Sequence, residues 1–154
     1  MKYELTKETK VVYGVTLYRI KAKKSFGNVS EGQLGGFIEK ETNLSMSGNA
    51  WVSGDAKVYG NAKVSGNAKV SGNAWVYGNA EVYGDAWNKS PLFIVGSKHS
   101  LINCKKGYLK IGCQEFTFEY WKDHYKAIGK QNGYTKEEIE EYGSYIELFC
   151  KIGK

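Results

Sequence analysis

The sequence predicts a mostly-β protein in which a short coil of six-residue turns lies between an N-terminal β cap and a C-terminal pair of α-helices. Glycine recurs every six residues from 48 to 84, each followed by Asn or Asp and then by Ala. Nineteen glycines stand against a single proline in 154 residues, so the glycine is periodic and structural rather than a mark of loose chain. Beyond residue 117 two apolar stripes appear at helical spacing.

The repeat opens at Met46 and reads MSGNAW, VSGDAK, VYGNAK, VSGNAK, VSGNAW, VYGNAE, VYGDAW. Valine stands at 52, 58, 64, 70, 76 and 82, with Met46 in the equivalent first place. A period of six is not helical, because 3.6 does not divide it. One long strand would put a glycine at every third inward position, which strands tolerate poorly. A short strand, a turn and another strand satisfy the pattern. Gly-Asn and Gly-Asp supply the turns, since both residue types accept positive φ. Valine and alanine then point inward, and the residues on either side of valine point outward.

On these residues the chain resembles the hexapeptide-repeat proteins, whose motif starts with an aliphatic residue and has a small residue fifth. The resemblance covers about a quarter of the chain, residues 46–87. It implies a left-handed parallel β-helix with three hexads per triangular coil, hence a little over two coils. Outward residues eighteen apart would then stack: Tyr59 beneath Tyr77, Lys63 beneath Glu81, Lys57 beneath Trp75, and Trp51, Lys69 and Trp87 in one column. Ring–ring and cation–ring neighbours at exposed sites contribute roughly 0.5–1 kcal/mol each. Open strand edges at both ends of such a coil need covering, and the flanks are expected to do it.

The flanks divide at 1–45, an N-terminal β cap; 88–116, a β segment continuing or capping the coil; and 117–154, a helical hairpin. Residues 11–22 read as extended with a turn at Tyr13-Gly14. The Gly-rich stretch 31–38 leads into the coil, where Leu34, Phe37, Ile38 and Leu44 are expected to cover the first rung. Residues 92–95 and 107–111 read as strands, with a turn at Lys105-Lys106-Gly107. One helix is expected from near Thr117 to about Lys130, with Phe118, Trp121, Tyr125 and Ile128 on its apolar face. A second follows the capping box Thr135-Lys-Glu-Glu138, with Ile139, Tyr142, Ile146 and Phe149 facing the core. Asn132-Gly133 turns between them.

The head KYELT…LYRIKA, the GGF lead, the GNAxV repeats and the tail IGCQ…GYTKEEIEEY together resemble small proteins common in bacteriophages and prophages. That resemblance spans nearly the whole chain. It implies a phage-derived accessory protein in the cytoplasm of a bacterial host, and carries no mechanism with it.

Charge is distributed unevenly. Residues 1–45 carry a net +3, residues 46–87 zero and residues 88–154 +3, for +6 in all. A solvated surface accounts for that balance better than direct nucleic-acid binding. Three dispersed cysteines, 104, 113 and 150, suit reduced thiols rather than a disulfide framework. No run has the length of a membrane span, and the first ten residues lack the apolar core of a secretory signal.

Tests for chemistry return little. Hexapeptide acyltransferases use a loop histidine as general base, but residues 1–98 contain none, and no long loop interrupts 46–87. His99 and His124 are too few for a three-histidine zinc site, and His99-x4-Cys104-x8-Cys113 matches no common zinc spacing. No P-loop, nucleophile elbow or paired-carboxylate signature occurs. No catalytic residue, metal ligand or cofactor is therefore assigned. The expected role is capture by binding, as in counter-defence against a host protein or a nucleotide signal. Trp51, Lys57, Tyr59, Lys69, Trp75, Tyr77 and Trp87 are the expected ligand-binding residues, because rings can stack on a base while ammonium groups pair with phosphates. The alternatives are a self-assembling oligomer, a trimer by resemblance, in which the same columns line an interface, and an acyltransferase.

Overall fold

The computed structural model of the chain describes residues 1–153. They form a mostly-β protein with two helices, in two compact units that divide between Pro91 and Leu92.

The first unit opens with an antiparallel hairpin, β1 (Tyr3–Val12) and β2 (Val15–Ala22), from Tyr3 opposite Ala22 to Val12 opposite Val15. Tyr13 and Gly14 both have positive φ, 48° and 79°. That is the geometry a two-residue turn needs to match the twist of its strands. Residues 3–10, most of β1, were not expected as a strand. It carries a register shift between Leu5 and Thr9 that blurs its alternation.

Next comes β3 (Leu34–Ile38), antiparallel to β2 on one side and parallel to the short stretch Lys57–Val58 on the other. Its Gly35 and Gly36 are forced by contact. A Cβ on Gly35 would lie 2.5 Å from both Ile20 Cγ1 and the Val52 carbonyl oxygen, and one on Gly36 would lie 2.7 Å from Val52 Cγ1.

Seven two-residue strands follow: β4 (Trp51–Val52), β5 (Lys57–Val58), β6 (Lys63–Val64), β7 (Lys69–Val70), β8 (Trp75–Val76), β9 (Glu81–Val82) and β10 (Ala86–Trp87). They belong to three small sheets. In each, the chain pairs in parallel with itself eighteen residues on: Val52 with Val70, Val58 with Val76, Val64 with Val82. The amides follow the same rule. Lys57 N donates to the Ala74 carbonyl at 2.9 Å and Lys63 N to that of Ala80 at 2.9 Å. Glycines 48, 54, 60, 66, 72 and 78 sit at φ between 60° and 67° and turn the chain between strands. Ala50, 56, 62, 68, 74 and 80 and the six valines are 0–1% exposed. Each buried valine contributes about 1.5–3 kcal/mol as an upper estimate.

Both ends depart from the expected frame. At the start, Leu44 rather than Met46 takes the interior place, pairing with Val64, while Met46 is half-buried. Phe37 pairs with Lys57, so this first rung is offset by twenty residues instead of eighteen. Asn43 fills the extra step: fully buried, its Nδ2 donates to the carbonyls of Ala62 (2.8 Å) and Gly60 (3.2 Å). Phe37 and Ile38 are fully buried as expected, whereas Leu34 is 52% exposed and covers nothing. Tyr3, also fully buried, donates its hydroxyl to the Leu44 carbonyl at 2.7 Å, and buried Lys2 donates to that of Ala50 at 2.8 Å. These contacts satisfy carbonyls that the lowest rung would otherwise leave open.

At the other end the last repeat is one residue short. Asp85 takes the left-handed conformation (φ 63°), and Ala86 pairs with Lys69 and Trp87 with Val70, an offset of seventeen. Ala86 is thereby exposed, and Trp87 takes the place of a valine.

The second unit is an antiparallel meander, β11 (Phe93–Val95), β12 (Ser100–Lys105), β13 (Tyr108–Ile111) and β14 (Gln114–Thr117), followed by α1 (Phe118–Gln131) and α2 (Lys136–Ile152). The stretch expected at 88–116 to continue or cap the coil thus divides at Pro91. From residue 92 it pairs antiparallel and belongs with the helices, so it does not extend the parallel ladder. The Thr117 hydroxyl caps α1 by accepting from Tyr120 N, and Thr135 with Glu138 forms the capping box of α2. Phe118, Trp121, Tyr142, Ile146 and Phe149 meet Leu101, Leu109 and Ile111 in one core. Trp121 Nε1 donates to the Leu109 carbonyl at 2.7 Å, fixing α1 on the sheet.

Candidate functional site

Because β5 and β8 are neighbours in one ladder, the residues just before and after their valines lie over one another. Lys57 Nζ sits 5.5 Å from the Trp75 ring centre. Tyr59 and Tyr77 stack at 5.6 Å with 14° between their planes. Tyr59 also meets Trp75 edge-on at 6.1 Å. Four of the seven expected residues, Lys57, Tyr59, Trp75 and Tyr77, are therefore one cluster.

The other three are elsewhere. Trp51 and Lys69 are paired in the separate ladder of β4 and β7. Trp51 is only 4% exposed, covered edge-on by Phe26 (5.4 Å) and Tyr3 (6.5 Å). It is a core ring of the N-terminal cap and offers no face to a ligand. Trp87 does not stand over Lys69, because the short last repeat moves it onto Val70. Its Nε1 donates to the Gly84 carbonyl at 2.8 Å. Of the expected column of Trp51, Lys69 and Trp87, the Trp51–Lys69 pair stands, with Trp51 covered by Tyr3 and Phe26, and the frame slip removes Trp87.

Two further residues join the cluster. Tyr13, at the hairpin turn and 87% exposed, meets Trp75 edge-on at 6.0 Å. A bulky ring at positive φ is uncommon. Lys10 reaches Asp55 Oδ1 at 3.2 Å and lies 4.5 Å from the Phe37 ring centre. Lys57 Nζ donates to the Asp55 main-chain carbonyl at 2.9 Å. Two ammonium groups thus flank Asp55 beside the rings. No sequence pattern announces Lys10, since its partner is forty-five residues away.

Burial raises the Tyr59 hydroxyl above its ordinary pKa, with the neighbouring Tyr77 and Tyr13 adding to the shift. The cluster presents aromatic rings beside the ammonium groups of Lys57 and Lys10. That arrangement can hold a planar ring and an anion together.

The remaining groups weighed for chemistry lie in the second unit. The buried Cys104 thiol donates to Glu115 Oε1 at 3.5 Å, and burial raises its pKa. Cys113 is exposed and Cys150 half-buried. Among the described residues no three His, Cys, Asp or Glu side chains converge as metal ligands. His124 is exposed and stacks on Tyr120 at 3.9 Å. Among the described residues no helix is long and apolar enough to cross a membrane.

Compared with known proteins, the chain matches no protein-family model. No curated protein matches it either.

Proposed function

We propose that this is a non-catalytic binding protein of phage origin that acts in a bacterial host by capturing a nucleotide signal. In this reading residues 46–87 form a short left-handed β-helix of hexapeptide repeats, and one of its faces is the capture surface. The observation that carries the proposal is the cluster of Lys57, Tyr59, Trp75 and Tyr77, extended by Tyr13 and Lys10. A base would lie against Trp75 and the Tyr59–Tyr77 pair, and its phosphates would be drawn to Lys57 and Lys10. Base–aromatic stacking supplies about 1–3 kcal/mol per base, so Trp75 is the residue whose loss matters most.

Equilibrium dialysis of the full chain against linear and cyclic nucleotides tests this. One class should bind saturably, with Trp75→Ala and Lys57→Ala each weakening it at least tenfold. Absence of saturable binding across the panel, or binding indifferent to both variants, overturns the nucleotide. Capture of a host protein by the same face would then replace it.

A second reading is self-assembly, with a trimer as the first expectation. It is favoured by the exposed apolar side chains gathered near the cluster: Val11 (69%), Tyr13 (87%) and Tyr77 (44%). Contact between copies would cover them. Light scattering that returns a monomer at every concentration removes this reading.

A further inference from the structure

We propose that the second unit contains a small-molecule site of its own, a pocket under α1 and α2 that takes a short branched aliphatic carboxylate. This inference is independent of the nucleotide reading.

The pocket has apolar walls from Trp121, Ile128, Ile139 and Ile146, and its mouth carries His99 and Gln114. Its volume is about 70 Å³. That is room for a small branched alkyl group, and apolar walls favour carbon over water.

The head of the ligand is chosen at His99, an exposed residue held with unusual care. Its Nδ1 hydrogen-bonds the Tyr134 hydroxyl, and the two rings stack at 5.8 Å. Its main chain is clamped by Tyr142: His99 N donates to the Tyr142 hydroxyl at 2.6 Å, which donates back to the His99 carbonyl at 2.9 Å. Two glycines make space for this. A Cβ on Gly112 (φ +59°) would lie 3.0 Å from His99 Cδ2, and one on Gly96 would lie 2.5 Å from the Tyr142 hydroxyl.

Burial, with Tyr142 as neighbour, pushes the Tyr134 hydroxyl up to about 12. The Tyr134 contact occupies Nδ1, so Nε2 is the ring nitrogen through which a ligand would be met. Lys98 Nζ, 4.7 Å from the Tyr134 ring centre, adds a cation at the mouth. Glu138 at 3.8 Å takes part of that charge. The Lys98 charge and a hydrogen bond to His99 Nε2 together select a carboxylate oxygen.

The test is an NMR titration of the full chain, isoleucine methyls labelled, with isovalerate as probe. Saturable shifts are expected at Ile128, Ile139 and Ile146. Isobutanol, a branched tail without the carboxylate, should bind at least tenfold more weakly. His99→Gln should weaken isovalerate by a similar factor, and Ile128→Phe should abolish binding by filling the pocket. His99→Gln changes only an exposed side chain, so the test stands even if Ile128→Phe does not fold. Absence of saturation by isovalerate, equal binding of isobutanol, or no effect of His99→Gln overturns the proposal. So does saturation by N-acetyl-leucinamide alone, which would make the pocket a socket for a partner's side chain.

Discussion

Tyr59 and Tyr77, eighteen residues apart, lie face to face with 14° between their rings. Stacked pairs of this kind are worth about 0.5–1.5 kcal/mol beyond simple burial. Tyr77→Ala should therefore lower the stability of the first unit by ~1 kcal/mol, seen as a shift in the denaturant midpoint without a change in slope. Tyr77→Phe should retain nearly all of it, because the ring and not the hydroxyl makes the contact.

Two turns of the repeat give opposite predictions for glycine. Gly66 sits at φ +60°, and a Cβ there would lie 2.4 Å from the Tyr83 carbonyl oxygen. Gly66→Ala should cost at least about 2 kcal/mol, combining left-handed strain with a backbone clash. Asp85 holds a similar φ of 63° with a side chain present. Asp85→Gly should be neutral or stabilising by up to ~1 kcal/mol. Parallel thermal melts of the two variants check the pair.

Asn43 replaces part of a rung with side-chain hydrogen bonds. Its loss leaves the Gly60 and Ala62 carbonyls and the Lys40 amide without their present partner. Asn43→Leu should cost about 2–3 kcal/mol, since buried unmet polar groups carry their full desolvation penalty. Hydrogen exchange should then show the Lys40 amide losing protection.

The buried Lys2 predicts an unusual pH profile. Burial, with Lys24 adding to it, pushes its pKa down to about 8. In the unfolded chain it returns to about 10.4. Between those values the unfolded state holds more protons, so stability rises with pH. Tyr3 has the opposite sign. Burial chiefly, and then Glu41, raises its hydroxyl above the ordinary 10.0, so its contribution is lost as pH climbs beyond 10. Denaturant titrations should find a maximum near pH 10, and Lys2→Met should remove the rise that leads to it.

These residues also show what the sequence makes legible. The interior was readable because one rule, valine and alanine at fixed places in six, is repeated without a gap. The helices were readable from spacing and from the Thr135–Glu138 capping box. The departures all occur where the repeat meets something else. Leu44 displaces Met46 because the first rung is built from unrelated sequence two residues longer. Trp87 turns inward because Asp85, not Gly84, adopts the left-handed step. Trp51 reads like the outward Trp75, and only the long-range contacts of Tyr3 and Phe26 bury it. Of the candidate site, the pairs Lys57–Trp75 and Tyr59–Tyr77 followed from the period. Tyr13 and Lys10 did not, because a hairpin far back in the chain delivers them.

The central claim is that the chain between Leu44 and Trp87 returns beside itself every eighteen residues over a dry interior. The most direct measurement is a methyl nuclear Overhauser spectrum with the valines labelled and assigned. Cross-peaks are predicted for Val52–Val70, Val58–Val76 and Val64–Val82. If these valine methyls show cross-peaks to water and none of the three predicted to one another, the coil is wrong, and the clustering of Lys57, Tyr59, Trp75 and Tyr77 fails with it.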